Sequence, residues 1–179
     1  MAVMPTPTTS PGAGSPRATV PAVFADRVAR SAGRTALLVK REGAYRPIAW
    51  HEYGQAVRRV ALGLGAVGVH RGEAVAILSG NRPEWAFADL GIIAAGALTV
   101  PIYATNPPNQ VEHILVDADV VVAIVEDRPQ LDKVLEVRPR CPRLARIVVI
   151  DPALLTDAQR ADPMLLDFAR LTALGAEAE

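Results

Sequence analysis

Two runs carry the residue types best placed for chemistry: Ser79-Gly-Asn-Arg-Pro-Glu-Trp85 and Gly96-Ala-Leu-Thr-Val-Pro-Ile-Tyr-Ala-Thr105. Both read as segments just past the carboxyl ends of apolar strands, where open α/β sheets bind their ligands. Asn81, Arg82, Tyr103 and Thr105 are therefore the candidate substrate-binding residues. A plainer reading makes Ser79 to Arg82 a strand-to-helix turn and Gly96 a close-packed bend. No acid, base or nucleophile lies beside either run to decide between the two readings.

The other chemically suggestive patterns are weaker. Gly63-Leu-Gly-Ala-Val-Gly68 has the G-x-G-x-x-G spacing of a dinucleotide loop. That mechanism needs the glycines after a strand and at the start of a helix, where a pyrophosphate meets free amides. Here they close a helix and precede a strand, so the reading is two close-packing glycines and a C-terminal stop at Gly68. Lys40 and Lys133 are the only lysines, and neither follows a glycine as a phosphate-loop lysine would. His51, His70 and His113 are too scattered to ligate zinc from one helix. Asp117 and Asp119 flank a helix-to-strand turn and read as solvated. Cys141, between Arg140 and Pro142, has no general base in view. The residues thus assign no catalytic group, no cofactor ligand and no metal ligand.

The elements that must position these runs follow from periodicity. Val20, Val23, Phe24 and Val28 recur at helical spacing over Val20 to Ser31. Thr35 to Lys40 and Tyr45 to Ile48 bracket Glu42-Gly43 and predict a hairpin. Trp50, Tyr53, Val57, Val60, Ala61, Leu64 and Val67 mark a long amphipathic helix. Strand and helix then alternate. Strands are expected over Glu73 to Leu78, Leu98 to Tyr103, Val120 to Val125 and Arg146 to Ile150. Helices are expected over Pro83 to Gly96, Pro107 to Ala118 (with Thr105 or Asn106 as its cap) and Asp127 to Val137. A further short helix is expected over Pro163 to Leu171, without an identifiable partner. Four continuously apolar strands separated by helices predict a doubly wound parallel α/β sheet with helices on both faces.

Composition narrows the function classes. Half of the 179 residues are hydrophobic and 21% are charged, enough for a substantial core. Nineteen basic against nineteen acidic residues argue against a nucleic-acid binder. One cysteine forms no intramolecular disulfide, which fits a cytoplasmic chain. Residues 1–19, rich in Pro, Thr, Ser and Gly, read as a disordered tail without a secretory signal. The apolar stretch Trp85 to Thr105 is broken by Gly96 and Pro101 and reads as buried helix and strand, not as a transmembrane segment.

The same runs resemble the N-terminal portion of the AMP-forming, adenylate-forming enzymes, specifically the long-chain fatty acid–CoA ligases. The likeness extends from about residue 20 to 175 and rests on Ile48-Ala-Trp-His-Glu-Tyr53, Gly68 to Leu78, Asn81-Arg-Pro-Glu-Trp85, Gly96 to Pro101 and Tyr103-Ala-Thr105. Ala49 stands where a threonine is common in the family, and Gly80 where an acidic residue often is. The resemblance implies that residues 20–179 form an incomplete N-terminal subdomain of the synthetase fold. For the complete enzyme it implies that a fatty acid, ATP and CoA become acyl-CoA through an acyl-adenylate, with Mg²⁺. It further implies a cytoplasmic enzyme with peripheral membrane attachment in its full-length form. The family's Ser/Thr/Gly-rich ATP loop and later motifs are not among these residues, so the chain alone is expected to be inactive. Its expected partner is the remainder of the synthetase, or another copy of itself through an uncovered face. A non-catalytic nucleotide- or acyl-binding module, or a protein-interaction module, stays open beside this reading.

Overall fold

The computed structural model describes residues 18–151, 153 and 155–179. Most of the N-terminal segment expected to be a tail therefore lies outside the described residues. Thr19, grouped with that tail, belongs to the first helix as its cap: its Oγ1 accepts from Ala22 N at 3.4 Å.

Helix α1 (Val20–Ser31) leads into the hairpin β1 (Thr35–Arg41) and β2 (Ala44–Ala49). Glu42 (φ 51°) and Gly43 (φ 79°) form its two-residue turn. Positive φ at both central positions matches the right-handed twist of the strands, and Gly43 accommodates it without a side-chain penalty. Helix α2 (Trp50–Ala66) follows directly. It ends as Gly68 adopts φ 93°, with Gly68 N donating to Gly65 O at 3.0 Å and Val69 N to Leu64 O at 2.9 Å. This is the left-handed helix stop expected of Gly68.

The main sheet contains β3 (Ala74–Leu78), β4 (Leu98–Ile102), β5 (Val120–Val125), β6 (Arg146–Val149) and β7 (Leu165–Asp167) in the order β4-β3-β5-β6-β7, all parallel. The crossovers run through α3 (Pro83–Ala94), α4 (Pro108–Asp117), α5 (Arg128–Val137) and the short α6 (Asp157–Arg160). Helix α7 (Phe168–Glu177) closes the chain. The first strand of the sheet lies inside it, so the direction of winding reverses between β3 and β5. Accordingly, Val60 and Leu64 of α2, Ala88 and Ile92 of α3 and Leu171 of α7 pack with Val75, Ile77 and Ile124 on one face. Val111 and Leu115 of α4 and Leu131 and Val134 of α5 pack with Ala76, Leu78, Ala123 and Val125 on the other. The protein has the doubly wound parallel fold, with a small separate hairpin.

The structure corrects the sequence reading in four places. The sheet has a fifth strand, β7, inside the segment read as one short helix. Asp167 ends β7 and caps α7 through Arg170 N at 2.6 Å, and α7 packs against α2, the partner that periodicity did not identify. Helix α4 is not capped by Thr105 or Asn106; Pro107 takes the cap position with no side-chain hydrogen bond. Only one glycine of Gly63-x-Gly65 is close-packed. Gly63 lies on the backbone carbonyl of Leu171, whereas Gly65 has nothing near it.

Candidate functional site

The reversal of winding opens a crevice at the carboxyl ends of β3 and β5, and the chain between β3 and α3 forms its floor. Gly80 N donates to Glu126 Oε2 at 2.7 Å, which ties the loop after β3 to the residue immediately after β5. Arg82 sits across the same gap. Its Nε donates to Glu84 Oε2 at 2.8 Å, and one terminal nitrogen approaches Glu126 Oε1 at 3.5 Å. Burial works against the Arg82 charge, but the hydrogen bond to Glu84 and the carboxylates of Glu84, Glu126 and Asp151 outweigh it and raise its pKa. Ser79 is buried and donates to Gly80 O at 3.0 Å, so its hydroxyl is spent on the turn. A glycine at position 80 has a physical reason here: a Cβ would meet Glu126 Oε2 at 3.3 Å, and an acidic side chain would add a like charge beside it.

Above this floor is a cleft of about 580 Å³ whose opposite wall is the hairpin. Leu37 to Arg41 of β1 line it, facing Asn81, Arg82, Pro83, Glu84, Ala86 and Glu126. Of the four candidate residues, Asn81 and Arg82 thus share a cleft. Tyr103 and Thr105 do not line it; both are exposed in the loop after β4. That loop is fixed from below by Lys133, whose Nζ donates to Ala104 O at 2.7 Å and Gln130 Oε1 at 2.9 Å.

Glu126, Lys40 and Lys133 are the participants that sequence patterns did not single out. Glu126 was findable: it directly follows an apolar strand, where ligands and their positioning groups collect in this fold. Nothing in the sequence links Lys133 to Ala104. Elsewhere, His51, His70 and His113 are exposed as expected, with His51 Nδ1 at 2.9 Å from Ala32 O. Cys141 is buried, and burial, followed by the charge of Glu112, pushes its thiol pKa up, the reverse of nucleophile activation. Asp117 and Asp119 are exposed.

A second groove of about 580 Å³ lies between α1, α2 and α3, lined chiefly by Phe24, Val28, Val57, Leu62 and Leu90. It is apolar and carries no group that could act on a substrate. An aromatic cluster holds the three helices together beside it: Tyr53 lies 5.0 Å from Phe24, 5.9 Å from Trp50 and 5.3 Å from Phe87 between ring centroids. Among the described residues no group of three His, Cys, Asp or Glu could hold a metal ion, and no helix is long and apolar enough to cross a membrane.

Comparison with known proteins places this arrangement. Residues 24–169 match the family model of the AMP-binding enzymes, and the chain belongs to that family. The long-chain-fatty-acid–CoA ligase ACSBG1 of Rattus norvegicus is 32% identical over 131 residues, covering 73% of this chain and 18% of that protein. The long-chain-fatty-acid–CoA ligase FadD15 of Mycobacterium bovis is 37% identical over 109 residues, covering 61% of this chain and again 18% of the relative. The crystal structure of the anthranilate–CoA ligase AuaEII in complex with anthranoyl-AMP superposes with a TM-score of 0.73 at 26% identity, over 84% of this chain and 27% of that one. The chain therefore spans about a fifth of the length of the ligases it matches.

Proposed function

We propose that this chain supplies the N-terminal sheet layer of a long-chain fatty acid–CoA ligase, and that by itself it is catalytically silent. In the complete enzyme a fatty acid and ATP give an acyl-adenylate, which CoA converts to acyl-CoA. The observation that carries the silent, scaffolding role is the state of the switch-point crevice. In a doubly wound sheet this is the position for a ligand. Here the chain's own groups fill its floor, with two carboxylates around one guanidinium. That floor is net negative and repels a triphosphate, and its amide donor at Gly80 already serves Glu126. Lys40 and Arg41 on the hairpin wall are exposed and too well hydrated to replace a phosphate cradle. The residues present do not fit Mg²⁺–ATP or CoA, so no step is assigned through either.

The test has two arms. The purified chain should give no ATP–pyrophosphate exchange with palmitate, and turnover by it unaided would refute the scaffold reading. In the second arm, residues 24–169 replace the corresponding segment of the M. bovis relative. This chimera should form palmitoyl-CoA. A folded chimera that binds its substrates but makes no acyl-adenylate would count against the ligase reading.

A further inference from the structure

The cleft has a feature that its floor does not explain. Five consecutive residues of β1, Leu37 to Arg41, line one wall. Side chains of successive strand residues point to opposite faces, so what these five share is the open edge of the strand. The register identifies its free groups. Arg41 faces Ala44 across the two-residue turn and is the hydrogen-bonded pair there; alternation then directs Arg41, Val39 and Leu37 toward β2. The N–H and C=O of Leu38 and Lys40 point away from β2, into the cleft side.

The neighbouring edges are blunted. On β2 the outward positions are Tyr45 and Pro47, and Pro47 has no N–H. On β4, Leu98 N donates to Glu73 O, which turns Thr99 and Pro101 outward, and Pro101 again lacks the donor. Edge β7 is three residues long. β1 is therefore the edge with an intact outward ladder among the described residues. It belongs to a two-stranded ribbon, which is marginal without a third strand.

We propose that the cleft receives an extended segment of the ligase polypeptide lying outside this chain, which adds to β1 as a third strand. The proposal rests on the ligase reading for the source of the segment. Two observations fit that occupant. About four-fifths of each matched relative lies outside the length this chain spans. Lys40 and Arg41 have no ion-pair partner among the described residues, so the segment is one that brings a carboxylate to this wall while its backbone pairs with Leu38 and Lys40.

Twelve-residue peptides tiled across the M. bovis relative outside its matched region provide the probe. They are tested against the purified chain and two variants, Leu38→Pro and Leu38→Thr. Leu38→Pro deletes only an outward N–H, leaves the β2 ladder intact and copies the chemistry of Pro47; a thermal midpoint near that of the parent verifies folding. Leu38→Thr keeps the donor. The expected result is one overlapping set of peptides, acidic and β-forming. This set binds the parent and Leu38→Thr, loses about ten-fold with Leu38→Pro, and slows amide exchange at Leu38 and Lys40. Binding by no peptide, or equal binding to Leu38→Pro, overturns the proposal. So does protection of Leu38 and Lys40 that rises with concentration of the chain alone, which would make a second copy the occupant. A chimera that makes palmitoyl-CoA while no peptide binds sinks the added strand and leaves the ligase reading standing.

Discussion

Strands β3 and β5 are buried along their whole length, whereas β1 and β2 are exposed along most of theirs. The sequences differ less than the environments do. β5 reads Val-Val-Val-Ala-Ile-Val, and β1 also opens apolar, with Ala36-Leu-Leu-Val39. Yet Leu38 is 64% exposed while Ile124 is fully buried. An apolar run predicts that a strand wants cover, not that the cover is present in the same stretch of chain. In the main sheet the covering helices arrive within the next crossover. At the hairpin they do not, so the deficit of cover falls on the wall of the cleft.

Replacing one residue in each region tests that contrast most severely. Ile124 sits mid-strand between Ile77 and Val148 and inside the α2, α3 and α7 face of the core. Ile124→Ala should cost about 2–5 kcal/mol, read as a fall in the urea midpoint at unchanged slope. Leu38→Ala should stay within about 0.5 kcal/mol, since little is buried there to lose. Equal losses at the two sites would mean that the hairpin is covered in solution, and the comparison would collapse.

The contact between α2 and α7 separates the regions in a second way. Gly175 lies on the carbonyl of Arg59, and Gly63 on the carbonyl of Leu171, so each helix admits the other's backbone. A methyl at either position meets backbone that cannot rotate aside. Gly175→Ala should therefore cost about 1–3 kcal/mol. Gly65→Ala is the control: nothing stands within 4 Å, and in a helix alanine should gain up to about 1 kcal/mol over glycine. Opposite signs at Gly175 and Gly65 would show that packing, not a phosphate loop, explains the glycines of this helix pair. A loss at Gly65 would require another explanation for the G-x-G-x-x-G spacing.

What the sequence made legible follows the same division. The order of α1, the hairpin, α2 and the first four strands of the parallel sheet could be read because each element shows its period over several residues. β7 could not: Leu165-Leu-Asp167 is too short to show a period of two, and Asp167 is at once the end of a strand and the cap of a helix. At the site, Asn81 and Arg82 were visible from their place after β3. The tie between Gly80 and Glu126 spans 46 residues, and that between Ala104 and Lys133 spans 29. Such pairs are set by strand order, which local patterns do not encode.

The smallest effect lies at the junction of the two regions. Trp50 N and His51 N, at the start of α2, donate to Arg34 O at 2.9 Å and Ala32 O at 3.0 Å, so the loop after α1 already satisfies two orphan amides. Glu52 Oε2 reaches back to Ala49 N at 2.7 Å, which is one half of a capping box. Alanine at 49 has no oxygen to return to Glu52 N, the remaining free donor of the first turn. The backbone is ready for one: Ala49 is extended, with φ −78° and ψ 160°. Ala49→Thr, which restores the residue common in the family, should add about 1 kcal/mol, or about 2–4 °C in Tm. If α2 unfolds with the main sheet, the gain appears in the global midpoint and in slower exchange of the Glu52 amide alike. If the junction opens first with the hairpin, exchange at Glu52 slows while the global midpoint stays still, and the boundary between covered and uncovered structure then runs through the first turn of α2.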